Sequence, residues 1–294
     1  MKKFLLRLLF FTIVTVVVFA LFHFAIISQR KTLLQIDKNT HSVFLGNSTF
    51  EFGINDSLIP NTVNFAENAE SVDLMYLKLK MLKEVNPQLD TVYIEFDDLI
   101  LFTTSLVRVN THAYYLDQLT CSDIYNNLKN MTFERNTAYL CHAYDFLKLR
   151  PTLAAFTGKS SGISAAGLGG YTDLYRDRLQ VAITQTDEVP DKKNIQDIPI
   201  HNHYYYNRIL DLCHDKDITP VFLANPMHTS CWKDTVYREY HRQYFPKVPL
   251  VDFHEFYLPD SCFADCIHLN YRGAAIYSHT LATYLLTLKT KVNL

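Results

Sequence analysis

What this chain lacks first is clustered positive charge. Its 28 Lys and Arg face 30 Asp and Glu, for a net charge of −2, and no long basic run follows the first few residues. Nucleic acid is therefore not an expected partner, because phosphate neutralisation needs a concentrated Lys/Arg footprint. Metal ligation is not expected either. None of the six cysteines (121, 141, 213, 231, 262 and 266) forms a close CxxC pair, and no Cys/His spacing matches a structural zinc site. Glycine is sparse, at 8 residues. Gly162, Gly167, Gly169 and Gly170 fall in neither nucleotide-binding spacing, so the stretch Gly158 to Gly170 reads as a flexible loop or lid, not a phosphate cradle. There is a single Trp and no internal repeat, whereas Tyr (19) and Phe (20) are abundant. A Tyr-rich surface suits sugar or lipid-headgroup contacts, and Tyr packed at a half-buried edge gives the same composition.

Charge is also missing between Arg7 and Arg30, where LLFFTIVTVVVFALFHFAIISQ runs without Asp, Glu, Lys or Arg. At about 1.5 Å per residue this stretch spans roughly 30 Å, the thickness of a bilayer core. It is too long for a cleavable signal peptide, and Phe22, His23 and Phe24 stand where small residues would be needed. The expectation is an uncleaved signal anchor. Residues 1–7 then form a cytoplasmic tail, 8–29 a transmembrane helix, 30–40 a polar stalk, and 41–294 a domain outside the cytoplasmic membrane. Arg30, Lys31 and Lys38 weaken the charge asymmetry that would set orientation. The cysteines fit an exported, disulfide-permitting location, with the pairing left open.

From residue 41 short apolar runs alternate with helical patterns, as in a parallel sheet covered on both faces. The predicted strands are Ser42 to Leu45, Thr62 to Phe65, Thr91 to Phe96, Ile218 to Ala224 and Pro249 to Phe253. Helices are predicted at about Ser71 to Glu84, His203 to His214, and from Asn270 onward, where Ala274, Ala275, Tyr277, Leu281 and Leu285 face the sheet. The third and fourth strands are about 120 residues apart, so residues of about 100–197 contain an insertion. Helical patterns occur inside it at Tyr114 to Leu128 and Ala138 to Leu149.

Two short segments carry the chemistry. Leu45-Gly46-Asn47-Ser48-Thr49 follows the first strand, and Asp265-Cys266-Ile267-His268-Leu269-Asn270 precedes the last helix. Ligands of open parallel sheets bind beyond the strands' carboxyl ends, so both segments belong on one rim. A serine hydroxyl needs an adjacent base. Asp265 and His268 can share one turn, with the carboxylate orienting Nδ1–H and Nε2 free to face Ser48. Gly46 permits a tight turn presenting Oγ and a backbone N–H to one carbonyl. Cys266 reads as a buried thiol or a disulfide with Cys262 or another cysteine. His201-Asn202-His203 reads as a solvated helix start. Asn47-Ser48-Thr49 is also a glycosylation sequon, set aside because a glycan there would block the site.

Gly46-Asn47-Ser48 resembles the first block of SGNH (GDSL-like) hydrolases, and Asp265-x-x-His268 resembles their last. The string Phe263 to Asn270 with Gly273-Ala274-Ala275 is similar to the membrane-anchored branch, which includes teichoic-acid D-alanyl transfer and alginate O-acetylation proteins. The resemblance covers about residues 41–97 and 200–288. It implies a flavodoxin-like three-layer α/β/α fold with a parallel sheet of about five strands, and a Ser48–His268–Asp265 acyl-transfer site with no cofactor. It further implies an acylated envelope glycan as substrate and a membrane-bound acyl-donor protein as partner. Two blocks depart from the family pattern. Ala69 stands at the usual glycine of the oxyanion hole, a mild loss provided its φ is not positive. Asp97 stands at the usual oxyanion-donating Asn, and an ionised carboxylate cannot donate. Either Asn225 substitutes, or the hole has only backbone donors, or Asn68 takes the place; Asn47 is a further oxyanion or substrate candidate, and His228 could line the site. A non-enzymatic alternative is a degenerate SGNH fold serving as a glycan-binding or scaffolding subunit.

Overall fold

The computed structural model describes residues 2–103, 169–176, 178–179, 193–230 and 235–292. The predicted helices at Tyr114 to Leu128 and Ala138 to Leu149, as well as Cys121, Cys141, Cys231, Gly162 and Gly167, lie outside the described residues. Numbered through those residues, the chain forms α1 (Lys2–Leu33), β1 (Ser42–Leu45), α2 (Ser48–Gly53), β2 (Thr62–Asn64), α3 (Val72–Val85), β3 (Thr91–Glu95) and α4 (Asp98–Phe102). After the insertion come α5 (Ile200–Asp215), β4 (Thr219–Ala224), α6 (Tyr237–Tyr244), β5 (Leu250–Asp252) and α7 (Tyr271–Val292).

All five strands are parallel, in the order β2-β1-β3-β4-β5. Strand alternation divides the core into two layers. Val43, Leu45, Val92, Ile94, Phe222 and Ala224 face one side, against α3, α5 and α6; Phe44, Tyr93, Val221, Leu223 and Val251 face the other, with Phe50 and the Tyr277, Leu281 and Leu285 stripe of α7. The result is a three-layer α/β arrangement. Because β2 and β3 flank β1 on opposite sides, the chain reverses direction across the sheet beside β1. Its carboxyl end is where such sheets open a crevice.

The polar stretch read as a stalk is docked instead. Asn86, at the end of α3, accepts from the Ile36 N–H at 3.0 Å and donates to the Leu34 carbonyl at 2.7 Å. Leu34 is fully buried. Helix α1 continues to Leu33, past the predicted limit at residue 29, and its side chains are described over residues 2–18 and at Leu21. Among the described residues no helix is long and apolar enough to cross a membrane, so the transmembrane part of the expectation has no structural support.

Helix α5 also begins earlier than predicted. His201 and Asn202 are buried, not solvated. The Asn202 amide donates to the carbonyls of Leu101 and Thr103 at 2.9 and 2.8 Å, closing the end of α4. Asn202, read locally as solvent-facing, is thus taken up by a neighbouring helix terminus, while His201 lies 3.9 Å from Asp73 of α3.

Candidate active site

Ser48 is the first residue of α2, at the carboxyl end of β1. Asn47 caps that helix, its side-chain oxygen accepting from the Thr49 N–H at 2.9 Å. The turn is held from below by Glu95, the last residue of β3. Its carboxylate accepts from the Asn47 N–H and from Thr49 Oγ1, the latter at 2.6 Å. Gly46 makes room for this. A Cβ there would lie 2.6 Å from Glu95 Oε2 and 2.7 Å from the Phe50 ring. The φ of Gly46 is not positive, so the glycine serves close approach of a carboxylate and not an unusual turn. Burial, and then the nearby Asp97, push the Glu95 carboxyl well above its usual range.

The second segment reaches the same rim. Asp265 Oδ1 accepts from the Ile267 and His268 N–H groups at 3.1 and 3.0 Å, folding the four residues into one turn. His268 Nδ1 lies 2.9 Å from both carboxylate oxygens, and Nε2 lies 2.8 Å from Ser48 Oγ, across 220 positions of sequence. Phe52 packs edge-on against the imidazole. Behind the turn, the Asn270 oxygen accepts from the Arg272 and Gly273 N–H groups and starts α7. Gly273 is needed there, because a Cβ would stand 2.2 Å from the Cys262 carbonyl. Burial opposes ionisation of Asp265. The bond to His268 and its charge, the Ile267 N–H and the Arg176 guanidinium outweigh it, holding the carboxyl well below the usual range.

Ala69 has φ +58, in the left-handed region that favours glycine, so the proviso attached to the Gly-to-Ala change is not met. Its conformation survives at a strain cost. The Asn68 N–H donates to Glu51 Oε2 at 2.5 Å and is committed to the fold. Asn225 is committed too: it donates to the Thr49 carbonyl at 2.9 Å and accepts from Tyr277 at 2.8 Å, pinning α2 and α7 to the end of β4. Asp97 is fully buried and caps α4 through the Ile100 N–H at 3.1 Å. Burial pushes its carboxyl up to about 7. His228 lies behind the Asp265 turn, its N–H on the Cys266 carbonyl at 3.0 Å and Nε2 3.2 Å from Asp260. Cys266 is disulfide-bonded, and Cys262 is a free buried thiol, so these two are not paired.

Three residues that brace the candidate site escaped the sequence reading. Glu95 left a trace, as a lone acidic residue inside the apolar run Thr91 to Phe96. Lys78 left one as well: it falls on the apolar stripe of α3, four residues after Leu74. Its fully buried ammonium donates to the Phe65 carbonyl at 2.9 Å and to Glu70 at 2.7 Å, bracing the loop that carries Ala69. Arg176 left none. Among the described residues no group of His, Cys, Asp and Glu could hold a metal ion. Comparison with known protein families and with curated proteins finds no match to this chain.

Proposed function

We propose that the chain is a membrane-anchored serine esterase or O-acyltransferase of the SGNH type, acting outside the cytoplasmic membrane on an acylated envelope glycan. One observation carries the chemistry: the unbroken hydrogen-bonded line from Ser48 Oγ through His268 to Asp265. His268 Nε2 takes the hydroxyl proton as Ser48 Oγ attacks the ester carbonyl. Asp265 stabilises the imidazolium, and His268 returns the proton to the departing alcohol. The acyl-serine then passes to water in an esterase, or to an acceptor hydroxyl in a transferase. The Ser48 N–H, at the start of α2, and the Ala69 N–H are the backbone groups available for the oxyanion.

The anchor rests on the sequence, on the uncharged run at 8–29; on α1 the side chains of Phe4, Phe10, Phe11, Val16 and Leu21 are exposed. Within that run, the Thr12 and Thr15 hydroxyls each donate to the carbonyl four residues back, at 2.9 and 2.8 Å, hiding their polarity inside the helix. A membrane-bound acyl donor as partner and a glycan as acceptor follow from the resemblance alone.

A second reading is favoured by Asp97: with no side-chain donor in the usual place, the fold could serve as a glycan-binding or scaffolding subunit. Hydrolysis of p-nitrophenyl acetate separates the two. Ser48→Ala and His268→Ala are each expected to lower turnover by ~10³-fold or more, and a fluorophosphonate probe to label Ser48. Equal background turnover in parent and variants, with no labelling, would sink the enzymatic reading.

A further inference from the structure

The insertion returns across the carboxyl rim through residues 169–176 and 178, and this return segment is bonded to each part of the site. The Gly170 N–H donates to the Ala66 carbonyl at 2.9 Å, the Thr172 N–H to Glu51 at 3.0 Å and the Arg178 N–H to Ala264 at 2.7 Å, while the Leu174 carbonyl accepts from Tyr271 at 3.1 Å. Gly169, with φ +100, lies so close to β2 that a Cβ would stand 2.3 Å from the Phe65 carbonyl. The segment is therefore seated on the loop after β2, on α2 and on the Asp265 turn together.

Its seating delivers Arg176 to Asp265, with Nη2 2.5 Å from Oδ2. The carboxylate is thereby engaged on both sides, with backbone N–H groups on Oδ1, the guanidinium on Oδ2 and the imidazole between them. Other charged groups nearby are engaged elsewhere. Glu51 on α2 accepts from the Asn68 N–H, Asp173 on the return segment accepts from Tyr171 and Tyr175, and His228 bonds Asp260. Among the described residues Arg176 is the one Lys or Arg paired with Asp265 or His268.

We propose that Arg176 is a positioning residue that locks Asp265 in the orientation His268 requires and offsets its charge. A carboxylate alone draws a proton onto the neighbouring imidazole, and a cation on its far oxygen cancels part of that pull. The depressed carboxyl of Asp265, to which Arg176 contributes, agrees with this arrangement. The role deepens the acyl-transfer reading and rests on it for any effect on rate, but the charge effect is measurable without turnover.

The test is an NMR titration of the His268 imidazole in the full chain in detergent micelles, with the signal assigned by its loss in His268→Gln. In Arg176→Gln the midpoint is expected to lie above the parent's at low salt, because the Asp265 charge is then left uncompensated. Arg176→Lys, which keeps the charge, is expected to stay near the parent. In parallel, the acid limb of p-nitrophenyl acetate hydrolysis should move to higher pH in Arg176→Gln only. An unchanged midpoint in Arg176→Gln, or an equal rise in Arg176→Lys, overturns the proposal. If the midpoint moves as expected while the parent hydrolyses no faster than Ser48→Ala, the charge effect stands and the enzymatic reading fails.

Discussion

Ala69 is the residue at which one side chain most visibly works against its backbone. A φ of +58 places it where an L side chain meets the following carbonyl, at a cost of roughly 1–2 kcal/mol. The conformation persists because the loop is braced by the Gly170 N–H on Ala66 and the buried Lys78 ammonium on the Phe65 carbonyl. Ala69→Gly should therefore stabilise the domain by about 0.5–1 kcal/mol after allowing for glycine's unfolded-state entropy, as read by urea unfolding. The substitution restores the residue that the resembled family carries there, and its physical reason is now plain. At this scale the sequence was informative for Ser48, Asp265 and His268, because each sits in a short stretch whose neighbours carry the same message. It was uninformative for Arg176, whose partner Asp265 is 89 positions away. Glu95 meets the nucleophile turn from 48 positions away, across two parallel strands. Only the register that pairs Leu45 with Ile94 brings them together.

Helix α7 illustrates how an element aims a site it does not itself contain. Its first turn is capped by Asn270 and pressed onto the Cys262 carbonyl through Gly273. The Phe263–Leu269 bridge closes the loop that holds Asp265 and His268. Gly273→Ala must push the helix or the loop aside. It is expected to destabilise by about 1–3 kcal/mol and to lower p-nitrophenyl acetate turnover beyond any loss of folded protein. Unfolding curves and rates on the same samples would check both parts. Most elements were legible from apolar periodicity, since strands buried on both faces read as short apolar runs and α7 carries a clean stripe. The start of α5 was not, because Asn202 looks solvated until α4 is packed beside it, and His201 until α3 brings Asp73 near. Lys78 broke the stripe of α3 for a comparable reason: its carboxylate partner is supplied by the preceding loop.

For the molecule as a whole, buried acids dominate the response to pH. Burial raises Glu70 to about 8 and Asp97 to about 7, and lifts Glu95 well above its usual value. An acid whose folded value is raised favours the fold while both states are protonated, and that contribution fades as pH climbs through the folded value. Asp265 has the opposite sign. Its contribution is present above the ordinary 3.8 and is lost only at lower pH. The melting temperature should therefore fall from about pH 5 to about pH 8, and Glu70→Gln should flatten that decline. A scanning calorimetry series in matched buffers would show it. The layered architecture was readable in outline from the alternation of runs, whereas the return of the insertion onto the rim was not, since four of its contacts are backbone bonds and the Arg176–Asp265 pair joins residues far apart in sequence. The docking of Leu34 and Ile36 on Asn86 has one further consequence. It fastens α1 to the edge where strands begin, while Ser48 lies at the edge where they finish, roughly 13–20 Å away for strands of this length. On the proposed membrane-anchored reading, Ser48 then stands on the rim farther from the anchor. A polymer is then expected to reach that rim directly, and a lipid-borne acyl group to need lifting clear of the headgroups.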